Sequence, residues 1–497
     1  MKLAELKAAI AGSIIQDSVT EEISIQGLQI HSGLINPGDM FVAISGYTRD
    51  GHEYIQEAIE RGASVIIGEK PLQLNVPYIQ VENSRKALPR LAGAFYDYPS
   101  SKHKMIGITG TNGKTTISYM LRHILNYAGI SCSVFGTISY IINGEEYPPT
   151  NTTPDALKLQ ELLAMSNDEY VIMEISSHAL EQSRIDGLTL DYALFTNLAH
   201  DHLDYHHTME NYFRAKQRLF NFLNQDGQAI INSIDPWGRK LTSILKEKKV
   251  PAKIVAKEGK GDLLIEELSP EGSGFRVSLN GKSYPVILAF PGKHNVYNAA
   301  MSILTCYEAG IPIETIIAAL DSFKGVPGRF EMIEHPSGAR FVVDYAHTED
   351  AIEYCLNTAK EMGAQKVTHI FGFRGGRDQT KRGNMLDASL MYSDEVYLTI
   401  DDLNEVPLEA MLKDLEALKL KTSSGRVQVI SDRTAAIRKA WLQAKKGDWV
   451  LITGKGPELY KEDFLLPVKS DLQALEYLNH EFQAPYKTGA QLQGLFK

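Results

Sequence analysis

No apolar run in this chain approaches the roughly eighteen residues that a membrane-spanning helix needs, which excludes a helical membrane protein as the reading. Cysteine is scarce: Cys132, Cys306 and Cys355 are odd in number, far apart and free of any CxxC pair. That excludes a disulfide framework and a thiolate zinc site, and fits a reducing compartment. An excess of positive charge is missing as well. Lys and Arg total 51 against 61 Asp and Glu, a net charge of −10, which argues against a general nucleic-acid surface or attachment to anionic membranes. A local basic pocket for small anions remains compatible with that balance. Fixed-period repeats and long low-complexity tracts are also lacking. The first twenty residues carry Lys2, Glu5 and Lys7 among apolar positions at helical spacing. They have neither a continuous apolar core nor a cleavage site, so they read as a surface helix, and a cytoplasmic location is expected.

What is present is a long globular chain. Its 497 residues predict two to four domains, each able to bury its own core. The segments 40–46 and 64–69 read as strands flanking a helix that ends at Gly62, and the polar stretch 96–104 marks a boundary. From 105 onward strands alternate with helical patterns, with strand candidates at 171–177, 192–198 and 228–233, which predicts a mostly parallel, helix-covered sheet. Residues 257–292 are Gly-punctuated and β-rich. A second boundary falls at 326–331, after which buried-strand patterns resume in ARFVVDYA, KVTHIFGF, EVYLTI and DWVLITGKG.

MIGITGTNGKTT (105–116) is the most informative stretch. An apolar strand pattern ends in Gly110, Thr111, Asn112, Gly113, Lys114, Thr115 and Thr116, and a helical pattern follows at once. Small residues let backbone N–H groups approach phosphate oxygens at a helix N-terminus, Lys114 adds a point charge, and the Thr115 hydroxyl suits Mg²⁺. Ile108 stands where the strict P-loop pattern has its first Gly, so this is a variant of that loop. Nucleoside triphosphate binding is expected.

Other motifs gain meaning beside it. Glu174 closes a buried-type strand, where α/β sheets bind ligands, and next to a P-loop it suits Mg²⁺ better than idle solvation. FTNLAHDHLDYH (195–206) concentrates His and Asp, but without a thiol or HExxH spacing it reads as a polar loop more readily than as a zinc site. Lys216 lies in an amphipathic helical pattern, ENYFRAKQRLF, where pattern alone favours a snorkelling surface lysine. In the last third, Asp344 and His347, then Arg374, Arg377, Lys381 and Arg382, then Lys455 and Glu458 sit in three post-strand loops. Each could be an ordinary surface loop; together they suit an anionic or zwitterionic substrate.

In order along the chain, the runs PGDMFVAISGYTRDGHEYI, GITGTNGKTT, NTTPD, EISSHALEQSR, FTNLAHDHLDYH, YFRAKQRLF, GKHNVYNA, PGRFE, DYAHTEDA, GGRD, KR and GKGPELY resemble the Mur ligase family of ATP-dependent amide ligases of peptidoglycan assembly, most closely the type that adds the third peptide residue. The resemblance implies an α/β fold of three domains: a uridine-nucleotide domain (1–102), a central P-loop parallel-sheet ATPase domain (103–328) and a Rossmann-like domain (329–497). It implies Ser32, Tyr47, Thr48 and Arg49 at the uridine diphosphate, and Gly110 to Thr116 with Asn295, Arg329 and Asp344 at ATP. Thr152, Thr153, Ser176, Gln182 and Arg184 would bind the muramoyl peptide. Lys114, Glu174, His202 and Lys216 would be catalytic, with Thr115, Glu174, His202 and Lys216, the last as a CO₂-derived carbamate, serving Mg²⁺. Arg382, Asp401, Asp402, Asn404, Gly454 and Glu458 would bind the amino acid. The implied partners are a UDP-muramoyl dipeptide and a free amino acid, with a monomeric protein and neither nucleic acid nor membrane.

Departures from the family pattern gather at the amino-acid end. Members using meso-diaminopimelate carry Asp-Asn-Pro-Arg where this chain has Asp401-Asp402-Leu403-Asn404. Loss of that guanidinium would cost about 2–5 kcal/mol of binding, which argues against diaminopimelate and leaves Asp401 and Asp402 to favour a cationic side chain such as lysine. Gly33, Glu349, Phe373-Arg374 and Pro457 are further departures, a pattern that suits a divergent paralogue with altered substrate choice. The rival readings are ligation to another acid, as in folylpolyglutamate synthases, a P-loop switch or kinase, and a nucleotide-binding regulator without catalysis. An intact Lys114, Glu174, His202 and Lys216 set speaks against the last.

Overall fold

The computed structural model describes residues 1–19, 22–46, 49–269, 273–422 and 424–483. Three sheets follow one another along the chain, of five, eleven and six strands. The first has Ile14–Asp17, Tyr78–Val81, Val65–Gly68, Met40–Val42 and Leu28–Gln29 side by side. The expected N-terminal surface helix is corrected here. The helix is short, Leu3–Ala9, and buries Leu3 and Leu6. Ile14–Asp17 is instead a strand, antiparallel to Tyr78–Val81. Its four residues run from one partly buried position to three exposed ones, too short a stretch to show a strand period.

The middle sheet is built around Lys104–Thr109, flanked by the parallel strands Tyr170–Glu174 and Leu190–Phe195. These strands are largely apolar because helices cover both faces. Antiparallel hairpins extend the sheet at both ends, Tyr140–Ile142 with Glu145–Tyr147 at one and Gly274–Leu279 with Lys282–Ile287 at the other. The helix Lys114–Tyr127 buries Ile117, Met120, Leu121, Ile124 and Leu125. That i, i+3, i+4, i+7 stripe presses it on the sheet, each such side chain contributing about 1.5–3 kcal/mol of burial. Its N-terminus is thereby held at the carboxyl end of the central strand, where a switch in strand order opens a crevice.

The last sheet has the order Glu331–Glu334, Arg340–Asp344, Asp448–Thr453, Lys366–Phe373, Glu395–Ile400, Val427–Val429. All pairs but the first are parallel. Its four expected strands are present almost residue for residue. Among the described residues, no helix is long and apolar enough to cross a membrane.

Candidate active site

The phosphate loop is shaped by two glycines. Gly110 has φ +152°, and a Cβ there would lie 1.8 Å from Thr196 Oγ1; Gly113 has φ +89°, and a Cβ there would lie 2.4 Å from Asn298 Oδ1. Only glycine lets this turn pack so closely. The turn is braced by Thr111 N–H to Asn197 O at 3.0 Å and Asn112 N–H to Asn197 Oδ1 at 2.9 Å. Gly113 is the N-cap of the helix that Lys114 begins.

Lys114 Nζ donates to the carbonyls of Gly110 and Thr111, both at 2.9 Å, and Lys216 Nζ donates to the same Gly110 oxygen at 2.8 Å. Lys216, 2% exposed, projects from the helix Met209–Gln217 into the protein, over the Tyr212 ring. The surface-lysine reading of this helix is therefore overturned: its apolar face packs inward and carries the lysine with it. Burial first, and the neighbouring Lys114 charge second, push the Lys216 amine well below the usual lysine range, with Asp201 opposing. Lys114 is also lowered, chiefly by burial.

Glu174 is fully buried at the end of its strand. Its Oε2 accepts from Thr115 Oγ1 at 2.9 Å and Thr137 Oγ1 at 2.8 Å, and its Oε1 from the Thr137 N–H at 3.1 Å. His202 has φ +55°, which turns the backbone at this point in the polar loop. Burial pushes its imidazole down to about 3, with Asp201 opposing, so at neutral pH it is an uncharged ligand-type base. Asp201 ties the middle and last units together: Lys381 Nζ lies 2.9 Å from Oδ1, and His347 Nε2 and His202 Nε2 lie 3.6 and 3.3 Å from Oδ2. Burial opposes its ionisation, but His347, His202 and Lys381 outweigh that and hold the carboxyl well below the usual range.

Two cavities meet at the phosphate loop. One, of about 230 Å³, is lined by Asn112, Gly113, Thr116, Asn295, Arg329 and Asp344 among the expected nucleotide residues, and also by His294, Tyr345 and Tyr354. The other, of about 310 Å³, is lined by Thr111 to Thr115, Thr152, Ser176, His202, Lys216, Arg329, Arg382 and Asp401. Arg329 joins them, donating to Thr115 Oγ1 at 3.1 Å with its guanidinium 4.4 Å from the Tyr345 ring centre.

Other expected residues stand elsewhere or are committed to the protein itself. Thr153 Oγ1 donates to Glu174 O at 2.8 Å, and Arg184 binds Thr153 O and Gln182 Oε1, so this trio braces the cavity floor. Ser32 Oγ donates to Glu57 Oε2 at 2.8 Å within the first unit, and Arg49 is exposed there. Tyr47 and Thr48 lie outside the described residues. The expectation that Asp401 and Asp402 receive a cationic side chain is corrected: Asp401 pairs with Arg433 at 2.7 Å and Asp402 with Lys455 at 2.7 Å, all four almost fully buried. A buried pair cannot turn to a ligand without orphaning its partner. Gly454 sits against Asp401, and Asn404 spends its amide on Gly375 O at 3.2 Å. Glu458 pairs with Arg374 and accepts from Tyr345 Oη at 2.9 Å. Sequence reasoning did not single out Tyr345, Thr137 or Asp201 as site residues, although the first and last adjoin residues it named.

Sequence profiles of the Mur ligase family match three successive segments: the "Mur ligase family, catalytic domain" over 24–96, the "Mur ligase middle domain" over 108–306 and the "Mur ligase, glutamate ligase domain" over 328–456. The chain is similar to the UDP-N-acetylmuramoyl-L-alanyl-D-glutamate–2,6-diaminopimelate ligase of Bacillus velezensis, 39% identical over 93% of this chain and 95% of that protein. It is similar to the enzyme of the same name in Geobacillus thermodenitrificans, at 37% over the same shares. Among solved structures, one of a UDP-N-acetylmuramoyl-L-alanyl-D-glutamate–2,6-diaminopimelate ligase superposes with a TM-score of 0.68 at 27% identity, covering 98% of this chain and all of that one.

Proposed function

The chain belongs to the Mur ligase family, and from that premise we propose that it is an ATP-dependent amide ligase that joins a diamino acid to UDP-N-acetylmuramoyl-L-alanyl-D-glutamate in peptidoglycan precursor synthesis. The observation that carries the reading is the meeting of Lys114, Thr115, Glu174 and Lys216 at one crevice between the middle and last units.

The chemistry follows from the difficulty of the acyl transfer. A carboxylate is a poor acyl donor because oxide would have to leave. Attack of the substrate carboxylate oxygen on the γ-phosphorus of ATP expels ADP and yields an acyl phosphate, whose leaving group is phosphate. Lys114 and Arg329, at the loop and its rim, offset the negative charge that gathers during transfer. The amine nitrogen of the amino acid, having lost its ammonium proton, then attacks the carbonyl carbon. Phosphate leaves and the amide remains. Water must be excluded from the acyl phosphate. The Asp201–Lys381 and Arg329–Thr115 contacts between units support a closed site.

The donor set fits Mg²⁺. Among the described residues no cluster of three or more His, Cys, Asp or Glu forms a metal cage, whereas Thr115 and Glu174 offer adjoining hard oxygens. Mg²⁺ is commonly held through one or two carboxylates together with substrate phosphates and water. Thr115, Glu174, His202 and Lys216 as a carbamate would hold it, and the bound ion would supply positive charge to the phosphoryl oxygens. Lys216 suits carbamylation because CO₂ adds only to a neutral amine, and burial with the neighbouring Lys114 charge favours the neutral form of this one.

The test is phosphate release with ATP, Mg²⁺ and the UDP-muramoyl dipeptide against a panel of amino acids. Release that requires both the sugar nucleotide and a diamino acid is expected. Release indifferent to the sugar nucleotide would refute the assigned acid.

A further inference from the structure

The cavity wall contributed by the last unit is made by the loops after Arg340–Asp344, Lys366–Phe373 and Glu395–Ile400, and the loop after Asp448–Thr453 packs behind them. The charges buried behind it are fixed. Arg433, with no exposed side-chain surface, binds Asp401 and Asp471; Lys455, equally buried, binds Asp402. One pair is different. Arg374 and Glu458 keep side-chain exposures of 25% and 31%, and Arg374 lines the cavity. Glu458 is held in place by Tyr345 Oη. The guanidinium uses Nη2 on Glu458 and turns Nε toward Asp402 Oδ2 at 3.7 Å. Its other N–H groups have no partner among the described residues.

A partly exposed Arg–Glu pair beside a cavity is complementary to a zwitterion: the guanidinium fork takes a carboxylate and the carboxylate takes an ammonium. Resting on the ligase reading above, and reversing the sequence-based expectation against diaminopimelate, we propose that Arg374 is the specificity-determining residue for the incoming amino acid, binding the carboxylate of a zwitterionic side-chain terminus while Glu458 binds its ammonium. A terminus bearing only an ammonium would compete with Arg374 for Glu458 and set two cations side by side. A neutral terminus would leave the pair closed on itself. Arg374 is the cation that pairs with Glu458; without it the Glu458 carboxylate would stand unpaired beside the cavity and repel an incoming carboxylate.

The experiment measures kcat/KM for the full-length enzyme with ATP, Mg²⁺ and the UDP-muramoyl dipeptide, and identifies the product by mass. The amino acids are meso-2,6-diaminopimelate, L-lysine and L-norleucine, whose side chains end in a zwitterion, an ammonium and a methyl group. Wild type is expected to favour diaminopimelate over lysine by at least about tenfold. Arg374→Ala should cut diaminopimelate by about 100-fold, mainly through KM, the scale of one carboxylate contact, and so move the ratio toward lysine. Arg374→Lys should restore part of it, and thermal melting of both variants checks that they fold. A wild type that prefers lysine or norleucine, or a variant that loses all three substrates equally, overturns the proposal and leaves the ligase reading standing. Phosphate release with none of the three overturns both.

Discussion

Lys216 offers the sharpest physical prediction, because its charge state decides what it can do. Its Nζ and that of Lys114 share one carbonyl oxygen at 2.8 and 2.9 Å, so the two nitrogens lie within about 6 Å of each other. Two full charges at that separation repel by about 3 kcal/mol at an effective dielectric constant of about 20. Burial, the larger cause, and this repulsion both lower the Lys216 pKa well below the usual lysine range. The folded protein therefore releases the Lys216 proton at a lower pH than the unfolded chain, which binds a proton there up to a pH of about 10.4. Between the lowered folded value and that limit the unfolded state carries the extra proton. Stability must then rise with pH, by up to about 1.4 kcal/mol per unit for this one group. Denaturant unfolding of wild type and Lys216→Met, in CO₂-free buffer from pH 6.5 to 8.5, isolates the effect. The variant should gain most over wild type at the acid end, with the gap closing as pH rises. In the same variant, ligase activity should fall by about 100-fold or more, the scale of losing one preorganised electrostatic contact. Parallel pH profiles for the two proteins would refute the neutral-amine reasoning, and so would wild-type activity indifferent to bicarbonate.

Two further outcomes test the frame around the site. Gly110→Ala should abolish measurable ATP binding by titration calorimetry, since its Cβ would meet Thr196 Oγ1 at 1.8 Å and the loop has no slack to move; a variant binding ATP normally would show that the turn is not held as described. Arg433→Met should destabilise the protein by about 3–5 kcal/mol in denaturant unfolding, because it leaves Asp401 and Asp471 buried without their cation; a loss below about 1 kcal/mol would contradict it.

Much of the fold was legible because parallel strands buried on both faces are continuous apolar runs, as in KVTHIFGF and EVYLTI. The phosphate loop was legible because its glycines, lysine and threonine are consecutive. What could not be read were relations between distant segments. Asp402 looked free for a ligand because nothing local reveals Lys455, some fifty positions away, beneath it. Lys216 looked like a surface residue on helical spacing alone, since the pattern marks the apolar stripe without saying how deep it sits. Arg374 stood out only as a departure from the family's loop, and its pairing with Glu458 needed two strand ends to be brought together. The N-terminal strand was missed because Ile14–Asp17 is too short to show its period.

The account's central claim is that this crevice activates a carboxylate by phosphorylation before an amine captures it. The direct measurement uses UDP-muramoyl dipeptide labelled with ¹⁸O in the accepting carboxylate and mass analysis of the phosphate released during ligation. Each phosphate should carry one ¹⁸O atom from the acid. Unlabelled phosphate, with all the label left in the peptide or in water, would contradict it.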